Sequence, residues 1–253
     1  MSKTILITGA ASGIGLYIAQ QLAAAGHHII VTDLNAAHAK EAAEDIVTNG
    51  GKAQGYALNV ADSEAITVFF KQLPQAVDVL INNAGIQHVA KLEEFPADKW
   101  QFLQQVMLVG PAMMTQAVLP KMREQNFGRI INIGSIHAMV ASKYKSAYVA
   151  AKHGLIGFSK TIALETGDAN ITINTVCPAY VKTPLVEQQI AAQAKEHGLS
   201  EQQVIDTIML APMTKKAFIG LDEIHHTVTF LMADAARNIT AQAIAIDGGW
   251  TAQ

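Results

Sequence analysis

Tyr148 and Lys152 are the pair of residues in this chain best suited to do chemistry. They lie four residues apart in a helical stretch, so their side chains share one face of the helix. A free tyrosine has a pKa of about 10 and is a poor base near neutral pH. A cation about 4 Å away, at an effective dielectric constant of about 20, lowers that pKa by about three units. The pair predicts a general base, although a surface tyrosine beside a solvated lysine gives the same pattern.

The N-terminal segment has the pattern of a dinucleotide-binding turn. Ile5–Thr8 is a short apolar run, typical of a buried parallel strand, and Gly9-x-x-x-Gly13-x-Gly15 follows it. Gly9 permits a tight turn and Gly13 lets the backbone approach a pyrophosphate, whereas Gly15 allows close packing of helix on sheet. The N–H groups that begin the next helix would face the phosphates. Strand, glycine turn and helix in this order predict a bound dinucleotide.

Asp33 indicates which dinucleotide binds. It ends a second apolar run, eighteen residues after Gly15, where a carboxylate can accept hydrogen bonds from the ribose hydroxyls of the adenosine. The same carboxylate would repel a 2′-phosphate. We therefore predict NAD as the cofactor, and not NADP. The alternative is an ordinary acid at a strand end or helix cap.

Composition excludes several functional classes. The chain has 253 residues, half of them hydrophobic, and a net charge of −3 with both signs scattered, so no nucleic-acid-binding face is expected. The single cysteine, Cys177, precedes Pro178 and is expected to be a buried structural thiol. No histidine spacing predicts a metal site. Without a signal segment or a long apolar run, a soluble cytoplasmic protein with no membrane contact is expected.

Strand-like runs alternate with helical segments along the whole chain. This alternation predicts one α/β domain over residues 1–253, a doubly wound Rossmann-type fold with a seven-stranded, mostly parallel sheet and helices on both faces. A helical insert at about residues 184–212 adds little to the sheet and is expected to be a mobile substrate lid. The seven runs are Ile5–Thr8, Ile29–Thr32, Ala53–Leu58, Val77–Ile81, Arg129–Ile133, Thr172–Val176 and Ala243–Ile246.

Polar and glycine residues follow several of these runs directly, at the edge where such sheets bind ligands. Together with the paired Tyr148 and Lys152, they resemble the short-chain dehydrogenase/reductase family over the whole chain. The motifs that carry the resemblance are Thr8-Gly9-x-x-x-Gly13-x-Gly15, Asn82-Asn83-Ala84-Gly85, Ser135, Tyr148-x-x-x-Lys152 and Cys177-Pro178.

The resemblance implies roles for individual residues. Ser135, Tyr148 and Lys152 would be catalytic: the tyrosine phenolate removes a hydroxyl proton, the serine stabilises the substrate oxygen, and the lysine lowers the pKa of the tyrosine. The cofactor site would comprise Gly9, Ser12, Gly13, Ile14, Gly15, Asp33, Asn59, Val60, Asn83, Ala84, Gly85, Tyr148, Lys152, Pro178, Val181 and Thr183.

A narrower resemblance concerns the branch of this family that acts on D-3-hydroxybutyrate. It rests on residues 83–89, 93–96, 135–137, 145–148 and 184–190 and on the ending Asp247-Gly248-Gly249-Trp250-Thr251-Ala252-Gln253. It implies NAD-dependent interconversion of (R)-3-hydroxybutyrate, a small-molecule 3-hydroxy acid, and acetoacetate. A small acid of this kind offers little apolar surface, so its carboxylate needs charge-assisted donors. The resemblance implies that these are Gln87, His137, Lys145 and Gln189.

The C-terminal residue Trp250 has two interpretations. It either packs locally or, as the resemblance implies, lies in a tail that reaches a neighbouring subunit and walls its substrate pocket. The second interpretation predicts a homotetramer with two-fold axes.

Two positions depart from the family pattern. Met107 stands where the family has an asparagine that holds a kinked helix and a water, and methionine is a poor hydrogen-bonding residue. Ala179-Tyr180 replaces Gly-Trp, which leaves the size preference of the pocket open. The alternatives are therefore an NAD-linked dehydrogenase for another 3-hydroxy acid or secondary alcohol, and a non-catalytic NAD-binding protein.

Overall fold

Seven β-strands form one sheet in the computed structural model, which describes residues 2–252 apart from the side chains of residues 185, 192, 196 and 197. The sequence predicts a mostly parallel sheet, and every pair of neighbouring strands that the structure describes is parallel. The strands are β1 Thr4–Thr8, β2 His28–Asp33, β3 Lys52–Ala57, β4 Val79–Asn82, β5 Gly128–Ile133, β6 Ile171–Pro178 and β7 Ala243–Ile246.

The strand order explains where a ligand can bind. It is β3-β2-β1-β4-β5-β6-β7, so the direction of winding reverses between β1 and β4. In an open parallel sheet this reversal leaves a crevice beyond the carboxyl ends of the two strands. The central strands β4 and β5 are wholly buried, as is typical of parallel sheets, whereas the edge strands β3 and β7 are partly exposed.

Helices cover both faces of the sheet. One apolar core lies between the sheet and α1, α2 and α9, and a second lies between the sheet and α3, α4, α5 and α6. The helices are α1 Gly13–Ala24, α2 Ala36–Thr48, α3 Ser63–Gln72, α4 Ala97–Gln104, α5 Gly110–Glu124, α6 Ser146–Glu165, α7 Pro184–His197, α8 Glu201–Val204 and α9 Leu221–Met232.

The segment Ala97–Glu124 is one continuous helical run. A π-helical turn, Gln105–Val109, joins α4 to α5. By length and composition alone the run could cross a membrane, but Leu103, Met107 and Met114 are buried in the second core. Its apolar character is therefore explained by packing against the sheet.

The predicted insert is helical. It contains α7, α8 and the π-helical turn Ile205–Met209, and its buried residues Ile190, Val204 and Met209 form a small apolar cluster of their own. The insert thus packs as a unit beside the carboxyl edge of the sheet. Its predicted mobility stays a prediction.

Candidate active site

The glycine turn after β1 is closely packed against the segment after β4. Gly9 has a φ of +60°, and a Cβ on it would lie 2.9 Å from Cα of Ala84. The Asn83 side-chain amide donates to the carbonyls of Thr8 and Gly9, at 2.9 Å each. A Cβ on Gly15 would lie 2.5 Å from that same amide nitrogen. These contacts explain why only glycine fits at both positions.

A cavity of about 420 Å³ lies at the carboxyl edge of the sheet, where β1 and β4 part. Every predicted cofactor residue except Gly15 lines this cavity, and Gly15 packs behind the turn. The lining residues predicted from sequence are Gly9, Ser12, Gly13, Ile14, Asp33, Asn59, Val60, Asn83, Ala84, Gly85, Tyr148, Lys152, Pro178, Val181 and Thr183. Sequence reasoning missed several apolar residues that also line it, among them Leu34, Leu58, Ile86, Phe102, Val106 and Val186.

The polar groups of this cavity fit a dinucleotide. Ser12 begins α1 with no hydrogen bond from its own side chain to the helix, so its hydroxyl and the helix N–H groups are available to a phosphate. At the other end, Asp33 accepts the N–H of Asn35 through Oδ1, at 3.1 Å. Among the described residues its Oδ2 makes no hydrogen bond, which leaves that oxygen free to bind a ribose hydroxyl.

Ser135, Tyr148 and Lys152 all line the cavity. Nζ of Lys152 lies 5.7 Å from the centre of the Tyr148 ring and donates to the carbonyl of Ile133 at 2.8 Å. Ser135 follows β5, and its hydroxyl interacts with the Tyr148 phenol. The predicted catalytic residues are therefore brought together by the end of β5 and the first turns of α6.

A buried polar ladder anchors α6 to the sheet. Asn82 donates to Asn132 at 2.8 Å, and Asn132 donates to the Ser159 hydroxyl at 3.0 Å. Ser159 in turn lies 3.2 Å from the Thr175 hydroxyl. This ladder crosses three strands and fixes the position of α6 relative to β5, which sequence reasoning did not identify.

Burial dominates the acid–base properties of the catalytic residues in the chain alone. It raises the pKa of Tyr148, and the hydrogen bond from Ser135 acts in the opposite direction. Burial also lowers the pKa of Lys152 to about 8. The expected lowering of the tyrosine pKa is thus not reached here, because Lys152 alone does not offset the loss of solvation.

A second group of side chains lies beside Ser135 and Tyr148, and we call it the aromatic cluster. It consists of His137, Lys145, Tyr180 and Trp250. The ring of Trp250 stacks on that of Tyr180 with centres 6.0 Å apart, and His137 meets both edge-on at 5.8 and 6.5 Å. His137 also meets the Tyr148 ring edge-on, at 6.0 Å. The cluster therefore adjoins Tyr148, the predicted catalytic tyrosine, directly.

Lys145 is a buried cation without a counter-ion. Its residue is only 5% exposed, and it forms no ion pair with any carboxylate in the described part of the chain. Its ammonium instead donates to the Tyr180 hydroxyl at 3.4 Å, and burial lowers its pKa to about 8. An ammonium in such surroundings is stabilised by an incoming anion.

His137 has hydroxyl groups at both ring nitrogens. Nδ1 lies 3.3 Å from Oγ of Ser135, and Nε2 lies 2.7 Å from Oγ of Ser142. Burial, followed by the charges of Lys145 and His153, lowers the pKa of His137 to about 3. The imidazole is therefore neutral at physiological pH. Its predicted contact with a substrate carboxylate stays a prediction.

The two predicted glutamines are less closely joined to the cluster. Gln87 is half-buried, and its Oε1 is buried without a hydrogen-bond partner. Gln189 is half-buried on α7. Among the described residues neither side chain hydrogen-bonds to Lys145 or His137. Their convergence on a carboxylate stays a prediction.

Trp250 lies in the site of its own chain. Its ring contacts His137 and Tyr180 of the same subunit, which agrees with the local-packing interpretation. A contribution of this residue to a neighbouring subunit stays a prediction. The Tyr180 phenol, which was not among the predicted site residues, is central to the cluster, and burial raises its pKa to about 12.

Two remaining sequence predictions concern metals and Cys177. Within residues 2–252 no group of three or more histidine, cysteine or acidic side chains is arranged to hold a metal ion. Cys177 is buried, and burial raises the pKa of its thiol to about 11, so it stays protonated. Its interpretation as a structural thiol is confirmed by this burial.

Fold and site together define an oxidoreductase of the Rossmann type with a tyrosine–lysine pair. A family model described as short chain dehydrogenase matches residues 3–194. The chain belongs to this family, as its motifs predict.

Relatives within the family match along the full length. The D-beta-hydroxybutyrate dehydrogenase of Rhizobium meliloti is 40% identical over 258 residues, covering 100% of both chains. That of Cupriavidus necator is 41% identical over 255 residues, covering 99% of this chain and 98% of its own. A solved actinorhodin polyketide ketoreductase with NADPH has a TM-score of 0.93 at 30% identity, covering 98% of this chain and 97% of its own.

Proposed function

We propose that this protein oxidises (R)-3-hydroxybutyrate to acetoacetate with NAD, and catalyses the reverse reduction. The single observation that carries the proposal is the buried Lys145, which has no acidic partner in the described chain and adjoins the catalytic serine and tyrosine through Tyr180 and His137. A site of this kind suits a small secondary alcohol that carries a carboxylate. Two full-length relatives at 40% and 41% identity bear the name of that activity, which supports the same substrate.

The carboxylate would be held by Lys145 and Tyr180. With its pKa raised to about 12, the Tyr180 phenol keeps its proton. Its oxygen accepts from Lys145, so its own O–H remains available to donate. An ammonium and a phenol next to each other give an anion two donors. Gln87 and Gln189 would complete this carboxylate-binding site when the insert closes and excludes water.

The chemical step would use the residues that meet at the end of β5. Oη of Tyr148 takes the proton of the C3 hydroxyl during oxidation and returns it during reduction. Oγ of Ser135 donates a hydrogen bond to the same substrate oxygen as its charge changes. Lys152 lies against the tyrosine ring and would hold the cofactor ribose. The nicotinamide cofactor, when bound, supplies or accepts the hydride and, when oxidised, a positive charge that favours the phenolate.

NAD is the cofactor proposed, on the strength of Asp33. Asp33 lines the cavity at the end of β2, where a ribose hydroxyl can donate to its carboxylate and a 2′-phosphate would meet a like charge. The solved ketoreductase with NADPH shows that closely similar folds also accept the phosphorylated cofactor. The acidic side chain at position 33 therefore supports NAD over NADP in this chain.

The proposed function also includes a cellular location and an assembly state for the enzyme. We infer a cytoplasmic homotetramer in which residues 184–212 act as the lid of a single domain. Leu164 on α6 is 85% exposed in the isolated chain, and a subunit interface would cover such a side chain. Light scattering after size-exclusion chromatography measures the assembly directly.

The test of function is NADH formation with four alcohols: (R)-3-hydroxybutyrate, its S isomer, 3-hydroxyvalerate and a neutral secondary alcohol, 2-butanol. We expect turnover with the R acid, less with its longer homologue, and little with the S acid or the neutral alcohol. Preference for 2-butanol would contradict the role of Lys145. No reduction of NAD with any of them would identify a non-catalytic binding protein. The Tyr148→Phe variant should lose turnover and still bind NADH.

A further inference from the structure

The turn that leads into α6 holds Tyr144 in the left-handed region of backbone conformation. Its φ is +67°, and among the described residues other than glycine only Asn126 and Ala241 also have a positive φ. Asparagine visits this region readily, but in a tyrosine the Cβ crowds the following carbonyl oxygen, so the conformation costs free energy. A strained residue of this kind persists only where the surrounding structure holds it in place.

The side chain of Tyr144 does not explain the strained conformation. The residue is 45% exposed, and within the described part of the chain its hydroxyl makes no hydrogen bond. Its backbone carbonyl does have a partner, since it accepts the N–H of Ala90 at 3.0 Å. Ala90 closely follows Gln87, so this bond ties the segment that carries Gln87 to the segment that carries Lys145. The backbone, and not the ring, is therefore the part of Tyr144 that the structure uses.

The two lysines on either side of Tyr144 have opposite surroundings. Lys143 is exposed, whereas Lys145 is only 5% exposed and its ammonium donates to the Tyr180 hydroxyl at 3.4 Å. The chain thus passes from solvent to the interior across a single residue. Because the φ of a residue helps to set the direction in which the chain leaves it, the left-handed conformation of Tyr144 accounts for the inward turn of Lys145.

Lys145 itself occupies a position that is unfavourable for a lysine. It is the N-cap residue of α6, and its carbonyl accepts the N–H of Val149 at 2.8 Å. Its side chain has no oxygen to cap the helix, and its charge lies near the positive end of the helix dipole. Burial of the ammonium with no carboxylate paired to it among the described residues adds a third cost. Costs that converge on two successive residues indicate a functional role for this turn.

We infer that Tyr144 is a positioning residue whose left-handed backbone conformation directs the Lys145 side chain toward Tyr180 before a substrate arrives, and whose carbonyl holds the Gln87 segment beside it. Oε1 of Gln87 is buried without a hydrogen-bond partner, so this second segment also carries a polar group in reserve. An ammonium that is already in place loses less freedom when an anion binds, which favours binding. The inference rests on the proposed binding of the substrate carboxylate by Lys145.

The variants Tyr144→Asn and Tyr144→Val test the backbone conformation, because both remove the ring and only asparagine tolerates a positive φ. We expect Tyr144→Val to raise KM for (R)-3-hydroxybutyrate about 10-fold with kcat nearly unchanged, and Tyr144→Asn to keep KM within about 2-fold of wild type. Lys143→Val, at the adjacent exposed position, is the matched control and should behave as wild type. Tyr144→Ala should show a smaller rise than the valine variant and replaces it if that variant does not fold. Equal rises in Tyr144→Asn and Tyr144→Val would overturn the inference, because the ring would then be the feature that matters.

Carbon-13 NMR of reductively methylated protein measures the surroundings of Lys145 without any substrate, with its signal assigned by its loss in Lys145→Gln. In the wild type and in Tyr144→Asn the signal should titrate near the pKa of about 8 that burial gives this lysine. In Tyr144→Val the midpoint should rise toward the ordinary lysine value as the side chain gains solvent. An unchanged midpoint in Tyr144→Val would overturn the inference. If the wild type does not oxidise the acid, the proposed function fails, and this titration still decides the role of Tyr144.

Discussion

The carboxylate of Asp247 holds the C-terminal turn through Thr251. Its Oδ2 accepts the backbone N–H of Thr251 at 2.8 Å and the hydroxyl of the same residue at 2.7 Å, while Oδ1 accepts the N–H of Gly249 at 2.9 Å. Burial acts to raise the pKa of Asp247, but these hydrogen bonds hold it below its usual value. The turn they close carries Trp250 into the aromatic cluster.

Asp247→Ala should therefore release Trp250 from the site. Because the ring of Trp250 covers Tyr180 and His137, we expect KM for the hydroxy acid to rise about 3- to 10-fold, consistent with the loss of about 1 kcal/mol of positioning. Tryptophan fluorescence should shift to longer wavelength as the ring gains solvent. Thr251→Val removes only the hydroxyl contact and is the milder control. Unchanged KM and fluorescence in Asp247→Ala would show that packing alone holds the ring.

The fold was predictable because its strands carry strong local signals. All seven strand-like runs in the sequence coincide with parallel strands to within two residues at their starts. The glycine turn and the pair Tyr148 and Lys152 were predictable for the same reason, since each motif is contained in a few consecutive residues. Fully parallel pairing follows from the regular alternation of strands and helices.

The aromatic cluster was harder to predict because it is assembled from segments that are distant in the sequence. Tyr180 acquires its role only where the end of β6 meets Lys145 and Trp250. This tyrosine has no local pattern that indicates function. Asp247 does have a local sequence pattern of this kind, since an aspartate followed by two glycines commonly accepts backbone N–H groups in a tight turn.

The Tyr180 hydroxyl should affect binding of the substrate carboxylate and not the reaction at the alcohol group. Tyr180→Phe keeps the ring that stacks on Trp250 but removes the partner of Lys145. Losing one charge-assisted hydrogen bond should raise KM for (R)-3-hydroxybutyrate about 10-fold and leave kcat nearly unchanged. Oxidation of 2-butanol, which has no carboxylate, is the internal control. Equal losses with both substrates would mean that Tyr180 only shapes the pocket.

Lys145 should make substrate binding depend on pH. Its pKa is about 8, so it is charged below this value and neutral above it. KM for the acid should be constant below about pH 8 and rise toward 10-fold per unit above it. The neighbouring His137, with a pKa of about 3, and Tyr180, with a pKa of about 12, do not titrate in this range.

Lys145→Gln separates this effect from that of Lys152, whose pKa is also about 8 and which acts on the chemical step. In the variant KM should be high and independent of pH, whereas the pH dependence of kcat should persist. A KM profile in Lys145→Gln that still rises above pH 8 would assign the titration to another group.

Asp33 should control the choice between NAD and NADP. Asp33→Ala removes the acceptor for the ribose hydroxyls and the charge that repels a 2′-phosphate, so kcat/KM should fall about 10- to 100-fold with NAD and rise with NADP. Asp33→Asn keeps an acceptor without the charge and should lose less with NAD. If wild type and Asp33→Ala have the same ratio of activities with the two cofactors, the carboxylate is only a feature of the strand end.

Substitutions of Met107 test how protons leave the active site. It is 1% exposed in the π-helical turn Gln105–Val109, and a Cβ on Gly85 would lie 3.8 Å from its sulfur, so it borders the cofactor segment. Oxidation releases a proton, and a thioether cannot hold a water that would carry it away. Met107→Asn supplies such a group and should raise the oxidation rate more at low pH than at high pH.

The matched control is Met107→Leu, which keeps the volume and the apolar character and should leave the pH–rate profile unchanged. Burying the asparagine amide should cost about 1 to 3 kcal/mol of unfolding free energy, measured by urea denaturation, unless a water binds it. Identical pH–rate profiles in Met107→Asn and the wild type would exclude this position from the proton path. The proton of Tyr148 would then leave by another route, and the neighbouring hydroxyls of Ser135 and Ser142 with His137 are the next groups to change.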